Sequence, residues 1–550
     1  MKRPVISGKT GSHFTALASL IFIFQMYFLP TSDPAHGAAD ASSALGDVVP
    51  DKVIYVNNQH SKANDSNKGD QDDSPVNTIG NAAEMAMRNQ EKGFSSKIII
   101  YPGTYREQIK LDFRARKSSP PIIFEAKEKG TVIVSGSDVW TEWEKIGKTN
   151  VYIHRWPHKW GYMPGPSQFT QKYGPIVRRR EMIFVDHKPM DQVLSLDELK
   201  KGSFYISEEE SKAYLHATSE KPLAETIVEV AIRSDLFKIN QANNVTVRGL
   251  TFQHDTTGMS TLGAAVHFVN SNNLLIEDCE FVWNNWFGLR FSGVANVTTR
   301  RNKAMYNGGA GWEAWKVKNL LSEDDETSYN NWRGVKGNFL GWEIAGAKHH
   351  KVHDAVYSRY KSVGNFTRGL WLDYGNSNIV IEEGCLCGNL VDGINLEASE
   401  GPITIKKSRI CRNESYGIVS DSSRVTLDGN TIYGNGKSQI KHAFANDRPV
   451  KDWETDEMFK VHGEKLILRD NIIASNTTAA LLELSGGAQF LDGLVFEGNI
   501  WQKSNGSDLF KIDKKSMSFL EWQAVIGKNQ KSRYADSVRA NIERTGLECK

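Results

Sequence analysis

The chain has 550 residues, of which 39% are hydrophobic and 24% are charged. This composition is typical of a folded globular protein and excludes an intrinsically disordered one. The formal net charge is only +2 and the sequence has no long basic tract, so we expect no nucleic-acid partner.

The N-terminal residues 1–39 have the three parts of an export signal. Lys2 and Arg3 supply a positively charged start, and an apolar run of 16 residues follows from Phe14 to Leu29. Small residues around Gly37 offer a site for signal peptidase. Because the run is shorter than the roughly 20 residues that span a bilayer, we expect a cleaved signal; an uncleaved anchor is the alternative. The protein is therefore expected to be secreted, periplasmic or at the cell surface, with no other stable membrane partner.

Residues 50–139 are predicted to form the first coils of an all-β structure. A strand over 51–57, a helix over 78–89 and a strand and turn over 97–105 follow one another. This order, which ends in the sequence YPGTYRE, resembles the first coil of pectate-lyase-like β-helix proteins. Residues 140–232 break the organisation with short apolar runs, typical of antiparallel hairpins, at 181–185, 203–206 and 212–216. We therefore predict a small inserted antiparallel β-sandwich there.

A short pattern recurs through residues 233–510. Each copy has a polar residue, alternating apolar residues, a polar Asn, Gly or Asp, and two more apolar positions; copies begin, for example, at Asn273, Asn296, Asn378 and Pro402. Uninterrupted neighbours are offset by 22 to 24 residues. So short a unit buries its apolar face only by stacking on a copy of itself. The pattern predicts a right-handed, single-stranded parallel β-helix, since a propeller blade needs about 40–45 residues. Residues 511–550 are predicted to form a helical tail, over 519–526 and 534–545.

A second strand follows most copies and opens on glycine, as in GLWLD (369–373), GINLE (393–397) and GIVSD (417–421). The fourth residue after the glycine is acidic in all three: Asp373, Glu397 and Asp421. Alternation along a strand places these side chains on the outer face. Because the offsets equal one coil, we expect their Cα atoms to lie about 4.8 Å apart.

Such a pair of carboxylates has a chemical use. Retaining glycosidases need two carboxyl groups about 5–5.5 Å apart, one a nucleophile and the other an acid/base. Acids that merely face water are the alternative interpretation. Lys348 is expected on the neighbouring coil, where its charge would keep Asp373 ionised; an ordinary ion pair is the alternative. The predicted substrate-binding residues are Trp371, Asn395, Lys348, Arg290 and Trp342, and no metal ion or cofactor is predicted.

The segments GLWLDYGN (369–376) and DGINLEASEGP (392–402) resemble the signature region of β-helix glycoside hydrolases. They look most like the β-xylosidase family numbered 120 and the related α-L-fucosidase and xylanase family numbered 141. The resemblance implies that Asp373 is the nucleophile and Glu397 the acid/base, with a carbohydrate as substrate. The chain has Tyr374 where the xylosidases commonly have Trp, and ASE at 398–400 where they tend to have VNH, which leaves the sugar open.

The five cysteines show no CxxC spacing of a zinc site. Cys387 and Cys411 fall at matching positions of adjacent coils, where a disulfide and a stacked pair of thiols are both compatible with the sequence. His349, His350 and His353 are expected to be structural or solvent-facing histidines and not metal ligands.

Two other functions are compatible with the sequence. A polysaccharide lyase would use Arg290, Lys348 or Arg368 as the base and the three stacked carboxylates to hold Ca²⁺. A glycan-binding adhesin would bind sugar without cleaving it. The sequence does not choose between exo and endo action or between retention and inversion.

Overall fold

The chain winds into a stack of parallel β-strand coils. A computed structural model describes residues 49–113, 119–164, 173–218, 221–259, 263–444, 448–487, 491, 493–504, 509–513, 515–526, 531–535 and 549. The predicted signal segment, 1–39, lies outside these residues. Within the described ranges, no helix is both long enough and apolar enough to cross a membrane.

Three parallel sheets form the sides of the stack. The first sheet is built from strands Ile109–Asp112, Phe237–Asn240, Val266–Val269, Arg368–Asp373, Ile394–Glu397, Ile418–Ser420, Ile440–Ala443, Leu482–Ser485 and Phe510–Ile512, together with the first halves of three long strands. The long strands are Leu289–Arg300, Trp312–Glu323 and Ala345–Ser358, and their second halves belong to the second sheet.

The other two sheets repeat the same order of coils. The second sheet contains Lys52–Val56, Ser96–Ile100, Ile122–Ala126, Asn243–Arg248, Asn272–Glu277, Ser377–Glu382, Ile403–Lys406, Val425–Asp428, Leu466–Arg469 and Val495–Glu497. The third contains Gly103–Tyr105, Val132–Ser135, Leu250–Gln253, Glu280–Val282, Lys303–Met305, Glu326–Ser328, Lys361–Val363, Cys385–Cys387, Arg409–Cys411, Thr431–Tyr433, Ile472–Ser475, Ile500–Lys503 and Arg533–Tyr534. The predicted all-β, parallel β-helix is confirmed.

Inward-facing apolar side chains form one continuous core along the stack. Leu370 and Leu372 are fully buried, as are Ile394 and Leu396 at the same positions of the next coil. Burial of each such side chain contributes about 1.5–3 kcal/mol to stability. Because successive residues of a strand point to opposite sides, this burial turns the residues between them toward the outside.

A ladder of stacked asparagines follows the third sheet, each asparagine two residues after a strand ends. The side-chain oxygen of Asn389 accepts hydrogen bonds from both the backbone amide and the side-chain amide of Asn365, at 3.1 and 2.9 Å. Asn413 does the same for Asn389, and Asn435 for Asn413. These bonds satisfy polar groups of a buried turn in successive coils, which would otherwise cost free energy.

The N-terminal end of the stack begins as predicted, with a strand, a helix and a strand. Helix Ile79–Glu91 is capped by the hydroxyl of Thr78, which accepts from the amide of Asn81 at 3.2 Å. Its buried residues, Ile79, Ala82, Ala83 and Ala86, belong to the core of the stack. The helix therefore covers apolar side chains at the first coils.

Two small sheets interrupt the stack between Ser137 and Ala231. One has strands Ser137–Val139, Ile183–Val185, Lys188–Pro189 and Val228–Ala231, all antiparallel. The other has Glu144–Lys145, Val151–Arg155, Asp191–Val193, Ser203–Ser207 and Lys212–His216, in which the pair Asp191–Val193 and Ser203–Ser207 is parallel. The two sheets share a hydrophobic core that includes Tyr152, Trp156 and Phe204. Short 3₁₀ helices lie at Pro175–Arg178 and Leu223–Glu225.

Two helices, one hairpin and one further strand lie outside the three parallel sheets and the inserted region. A short helix, Trp332–Lys336, lies in a long connection of the stack, and strands Arg448–Lys451 and Met458–Val461 form an antiparallel hairpin, the 448–461 hairpin. Strand Lys515–Met517 pairs back on Phe510–Ile512, and helix Phe519–Ile526 follows, as predicted. The prediction of a second helix is wrong at its start. Tyr534 lies in strand Arg533–Tyr534, which pairs with Ile500–Lys503. The rest of that predicted helix, 536–545, lies outside the described residues.

The cysteines form two disulfides near the C-terminal half of the stack. Cys387 and Cys411, whose status the sequence leaves open, are joined across adjacent coils. A second disulfide, Cys385–Cys549, ties the C-terminal end of the chain to the same place. Cys279 is a buried free thiol in the core.

Candidate active site

The strands that carry the acidic residues begin on tightly packed glycines. A Cβ at Gly369 would come within 2.5 Å of the carbonyl oxygen of Gly393, and one at Gly393 within 2.7 Å of that of Gly417. Only glycine lets the turns of successive coils approach this closely. The glycines thus keep the coils in register, and the acidic residues four positions later come to lie side by side.

Asp373 and Glu397 are Cα partners on adjacent parallel strands. Neighbouring strands lie about 4.8 Å apart, as the sequence predicts for this pair. Both side chains are partly exposed, with 15% of the Asp373 side chain and 28% of the Glu397 side chain accessible. Asp421 follows on the next coil, where its amide donates to the carbonyl of Leu396.

Asp373 is held by two basic groups from the strand Ala345–Ser358. The Lys348 ammonium lies 3.1 Å from its Oδ2, and His350 Nδ1 lies 3.5 Å from the same oxygen. Lys348 occupies the neighbouring coil as predicted, but its Cα partner is Trp371, and the partner of Asp373 is His350. The register differs because this coil spans 23 residues, whereas Lys348 precedes Asp373 by 25.

Glu397 is held by different groups from those around Asp373. The indole Nε1 of Trp371 donates to its Oε2 at 3.1 Å, and Arg448 donates to its Oε1 at 2.9 Å. The same Arg448 nitrogen lies 3.1 Å from Asp421 Oδ2, so one guanidinium bridges two carboxylates. These contacts offset the repulsion between stacked like charges.

The 448–461 hairpin packs against the residues that directly follow Asp373 and Glu397. Val450 and Val461 are fully buried and pack in one cluster with Ala398, the residue after Glu397. The hydroxyl of Tyr374, the residue after Asp373, donates to the carbonyl of Pro449 at 3.1 Å. The hairpin therefore fixes Arg448 beside Glu397.

A second group of charged side chains lies next to the pair, on the side toward the N-terminal end of the stack. Arg290 Nε lies 2.6 Å from Glu313 Oε2, and both side chains are nearly fully buried. Burial raises the pKa of Glu313 to about 7 against the opposing charge of Arg290. Burial also acts to raise the pKa of Glu343, but the hydrogen bond from His350 and the charge of Lys348 outweigh it and lower this pKa to about 2. Near neutrality, Glu343 is therefore ionised, whereas Glu313 takes up a proton more readily than an ordinary glutamate does.

A cleft of about 900 Å³ runs over this part of the first sheet. Its lining reaches from Lys110 and Lys238 past Arg290 and Trp315 to Glu343 and His350. Because His350 also contacts Asp373, the cleft ends next to the carboxylate pair. The size is within the range of about 300–1,000 Å³ that is usual for small-molecule sites.

The predicted substrate-binding residues fall into two groups. Trp371, Asn395 and Lys348 lie beside the pair: Lys348 Nζ lies 3.6 Å from the centre of the Trp371 ring, and Asn395 is the Cα partner of Trp371. Arg290 lies farther from the pair, in the wall of the cleft. Trp342 packs instead against an apolar cluster that includes Phe339 and Ile344.

Sequence reasoning missed four residues of the site. His350 is the residue 23 positions before Asp373, and the coil length carries that signal. Glu313 is the Cα partner of Lys348, so the same periodicity would have found it. Glu343 and Arg448 come from irregular connections, where the repeat gives no signal.

Three of these side chains have a spacing that a metal ion could use. Glu313, Glu343 and His350 each offer one ligand atom, and the three atoms lie within 4.8 Å of one another. However, Arg290 and Lys348 already supply positive charge to the two carboxylates, at 2.6 and 3.9 Å. We therefore assign no metal to this group. Cys385, Cys387 and Cys549 also lie together, but all three are in disulfides.

Comparisons with known proteins agree with this architecture. Residues 236–432 match the family model of the right-handed β-helix region. The chain resembles the structure of XylC in complex with xylose, with a TM-score of 0.65 and 14% identity over 84% of this chain and 86% of that one. A likeness at this identity establishes a shared fold.

Two other solved structures resemble the chain less closely. A glycoside hydrolase has a TM-score of 0.47 and 13% identity over 82% of this chain and 96% of that one. The A-module of the mannuronan C-5 epimerase AlgE4 from Azotobacter vinelandii has a TM-score of 0.47 and 12% identity over 88% and 100%. The search of curated proteins by sequence gave no match. The fold is thus a right-handed parallel β-helix, and the structure of XylC with xylose has the same fold.

Proposed function

We propose that this protein is an exported glycoside hydrolase that cleaves glycosidic bonds of a plant- or algal-type polysaccharide or oligosaccharide with Asp373 and Glu397. The observation that carries the proposal is the position of these two partly exposed carboxylates as Cα partners on adjacent strands, next to the cleft. A strand spacing of about 4.8 Å is close to the separation of about 5–5.5 Å that a retaining mechanism requires.

In the first step, Asp373 attacks the anomeric carbon of the sugar. Glu397, in its protonated form, gives its proton to the glycosidic oxygen as the bond to the leaving group breaks. The product is a glycosyl ester on Asp373 and a free alcohol. Lys348 and His350 hold the attacking carboxylate in place, at 3.1 and 3.5 Å from Oδ2.

In the second step, Glu397 takes a proton from a water molecule that attacks the same anomeric carbon. The ester bond breaks, Asp373 leaves as a carboxylate, and Glu397 is again protonated. Arg448 stabilises the negative charge of Glu397 in the intermediate, and Asp421 offers an alternative acceptor at 3.1 Å when Glu397 holds its proton. In this role Asp421 is a positioning residue.

Sugar as substrate is supported by the fold and by the residues around the pair. XylC, which shares the fold, was solved with xylose. Aromatic rings suit the apolar faces of sugars, and Trp315, with 40% of its surface exposed, lines the cleft. Asn395 and Arg290 offer hydrogen-bond donors along the same sheet.

Export is supported by the N-terminal sequence and by the cysteines. Residues 1–39 have the composition of a signal peptide. Two disulfides, Cys387–Cys411 and Cys385–Cys549, are typical of proteins that fold in an oxidising compartment. Localisation of the full-length protein in cell fractions tests this part directly.

A screen against aryl xylosides, fucosides and arabinosides tests the activity. Wild type should release phenol from at least one of them, and Asp373→Asn should not. Glu397→Gln should keep activity only on substrates with good leaving groups, which need no acid. Absence of any product from these glycosides and from a panel of plant polysaccharides would contradict the proposal. An unsaturated uronide formed only without EDTA would indicate a lyase instead.

A further inference from the structure

The outer residues of the first sheet form a ladder that runs from the active site to the far end of the cleft. From the site outward, consecutive Cα partners are Trp371, Lys348, Glu313, Arg290, His267, Lys238 and Lys110. Five of these seven residues line the cleft, namely Glu313, Arg290, His267, Lys238 and Lys110. The ladder is therefore the floor on which a bound oligosaccharide would lie.

Two basic residues lie side by side at the far end of this ladder. Lys110 and Lys238 are direct Cα partners, so two ammonium groups project from adjacent strands about 4.8 Å apart. Like charges placed directly opposite each other on a sheet destabilise it. The nearest acid on these strands, Asp112, accepts a hydrogen bond from Asn240 at 2.8 Å, and neither lysine forms an ion pair with any residue that the structure describes.

Several other basic residues of the stack pair with an acid on the next coil. Lys406 pairs with its Cα partner Glu382 at 2.9 Å, and Lys303 pairs with Glu280 at 3.5 Å. Arg290, in the same ladder, pairs with Glu313. Among the residues that the structure describes, Lys110 and Lys238 have no such acid partner, so both ammonium groups remain open to a bound anion.

This end of the cleft is lined by the two lysines, His267 and one acidic residue, Asp112. His267 lies between Lys238 and Arg290 in the ladder, and burial together with their charges lowers its pKa to about 3, so it does not titrate near neutrality. The carboxylates of Glu313 and Glu343 are engaged with Arg290, Lys348 and His350 at the other end. Lys110 is exposed and Lys238 is partly exposed, so both ammonium groups are accessible from the cleft.

We propose that Lys110 and Lys238 bind an anionic substituent, a uronate carboxylate or a sulfate ester, on a sugar several units away from the bond that is cleaved. The inference rests on the proposed function in taking an oligosaccharide as the occupant of the cleft. The strand of Lys238 is five strands from that of Asp373 and the strand of Lys110 is six, which corresponds to about 24–29 Å along the stack. The substrate is thus an acidic oligosaccharide or polysaccharide that extends toward the N-terminal end of the stack.

The test measures binding by calorimetry in the full-length Glu397→Gln protein, so that cleavage does not interfere. The probes are xylotetraose, the same tetraose with a glucuronate branch, the same tetraose with a sulfate ester, and tetragalacturonate. At least one anionic probe should bind about tenfold more tightly than xylotetraose, since two accessible charge contacts are worth about that much. Comparison of the branched and sulfated tetraoses separates a carboxylate from a sulfate ligand.

Two double variants, each made in the Glu397→Gln protein, locate the effect. Lys110→Met with Lys238→Met should remove the preference for the anionic probe and leave xylotetraose binding unchanged. Lys303→Met with Lys406→Met removes the same charge from the other two sheets and should retain the preference. Salt at about 0.5 M should also reduce the preference, because it screens accessible charges.

The outcomes separate this inference from the proposed function. Equal binding of anionic and neutral probes, no binding of any probe, or a preference that survives in the Lys110/Lys238 variant would overturn the inference, even if wild type hydrolyses glycosides. A lysine-dependent preference in a protein that hydrolyses nothing would support the anionic site and contradict the proposed hydrolase.

Discussion

His350 and Asp373 are Cα partners on adjacent strands, and His350 Nδ1 lies 3.5 Å from Asp373 Oδ2. The other ring nitrogen of His350 lies 3.3 Å from Glu343 Oε2, in the wall of the cleft. Together with Lys348, this imidazole holds the carboxylate of Asp373 from the N-terminal side of the stack. The carboxylate of Asp373 is therefore fixed by residues of one neighbouring strand.

Lys348 should be far more important for stability than an exposed lysine with a similar ion pair. Only 2% of its side chain is accessible, and Lys348→Met would leave Asp373 and Glu343 without their nearest ammonium group. We expect a loss of about 3 kcal/mol in the free energy of unfolding, measured in urea, because a buried charge loses its partner.

Lys318→Met is the matched control for this measurement. Lys318 lies on the adjacent long strand, Trp312–Glu323, and its ammonium group is 2.9 Å from Glu454, but 40% of its side chain is exposed. Its replacement should cost less than about 1 kcal/mol. Equal losses in the two variants would show that Lys348 does not stabilise the carboxylates.

Trp371→Phe should affect acid catalysis more than folding. Phenylalanine keeps an aromatic ring near Lys348 but removes the Nε1 hydrogen bond to Glu397 Oε2. We expect kcat/KM to fall about tenfold for glycosides with poor leaving groups, which need the proton, since one hydrogen bond to a charged group is worth about 1.5–3 kcal/mol. Activity on good leaving groups should change much less, and the same loss for both classes would argue against an acid role for Glu397.

The contribution of Glu313 to the stability of the folded protein should decrease as the pH rises from about 4.5 to 7. Burial raises the pKa of Glu313 to about 7 in the folded protein, above the value of about 4.3 for an unfolded glutamate. The folded state therefore holds a proton that the unfolded state has released in this range, and its contribution to stability is lost as the pH approaches 7.

Thermal unfolding at pH 5 and at pH 8 measures this effect. Other buried groups titrate in the same range, among them Asp255, so the comparison is between wild type and Glu313→Gln. The Tm of the variant should fall less, or rise more, between the two pH values than the Tm of wild type. Parallel pH dependence in both proteins would mean that Glu313 does not carry the proton.

The repeat made the carboxylate pair predictable. A fixed offset between GLWLD and GINLE is enough to place Asp373 beside Glu397, because coils of equal length stack in register. The same reasoning, with a coil of 23 residues, places His350 beside Asp373. Lys348 was predicted beside Asp373 because of its charge. It does contact Asp373, because its long side chain reaches that carboxylate from the neighbouring position.

The remaining parts of the site were not predictable because they do not belong to the repeat. Arg448 reaches Glu397 from a hairpin 51 residues later in the chain, and its position depends on the packing of Val450 against Ala398. Glu343 lies in the connection before the strand Ala345–Ser358. The disulfide of Cys385 with Cys549 spans 164 residues, and no periodicity links such positions.

Trapping of the covalent intermediate tests the central claim most directly. The aryl glycoside that wild type hydrolyses would be used in its 2-deoxy-2-fluoro form, which slows the second step more than the first, and the labelled protein would be digested and examined by mass spectrometry. We predict a glycosyl adduct on the peptide that contains Asp373, and no adduct in Asp373→Asn. An adduct on a different carboxylate, or hydrolysis with inversion at the anomeric carbon and no adduct, would contradict the account.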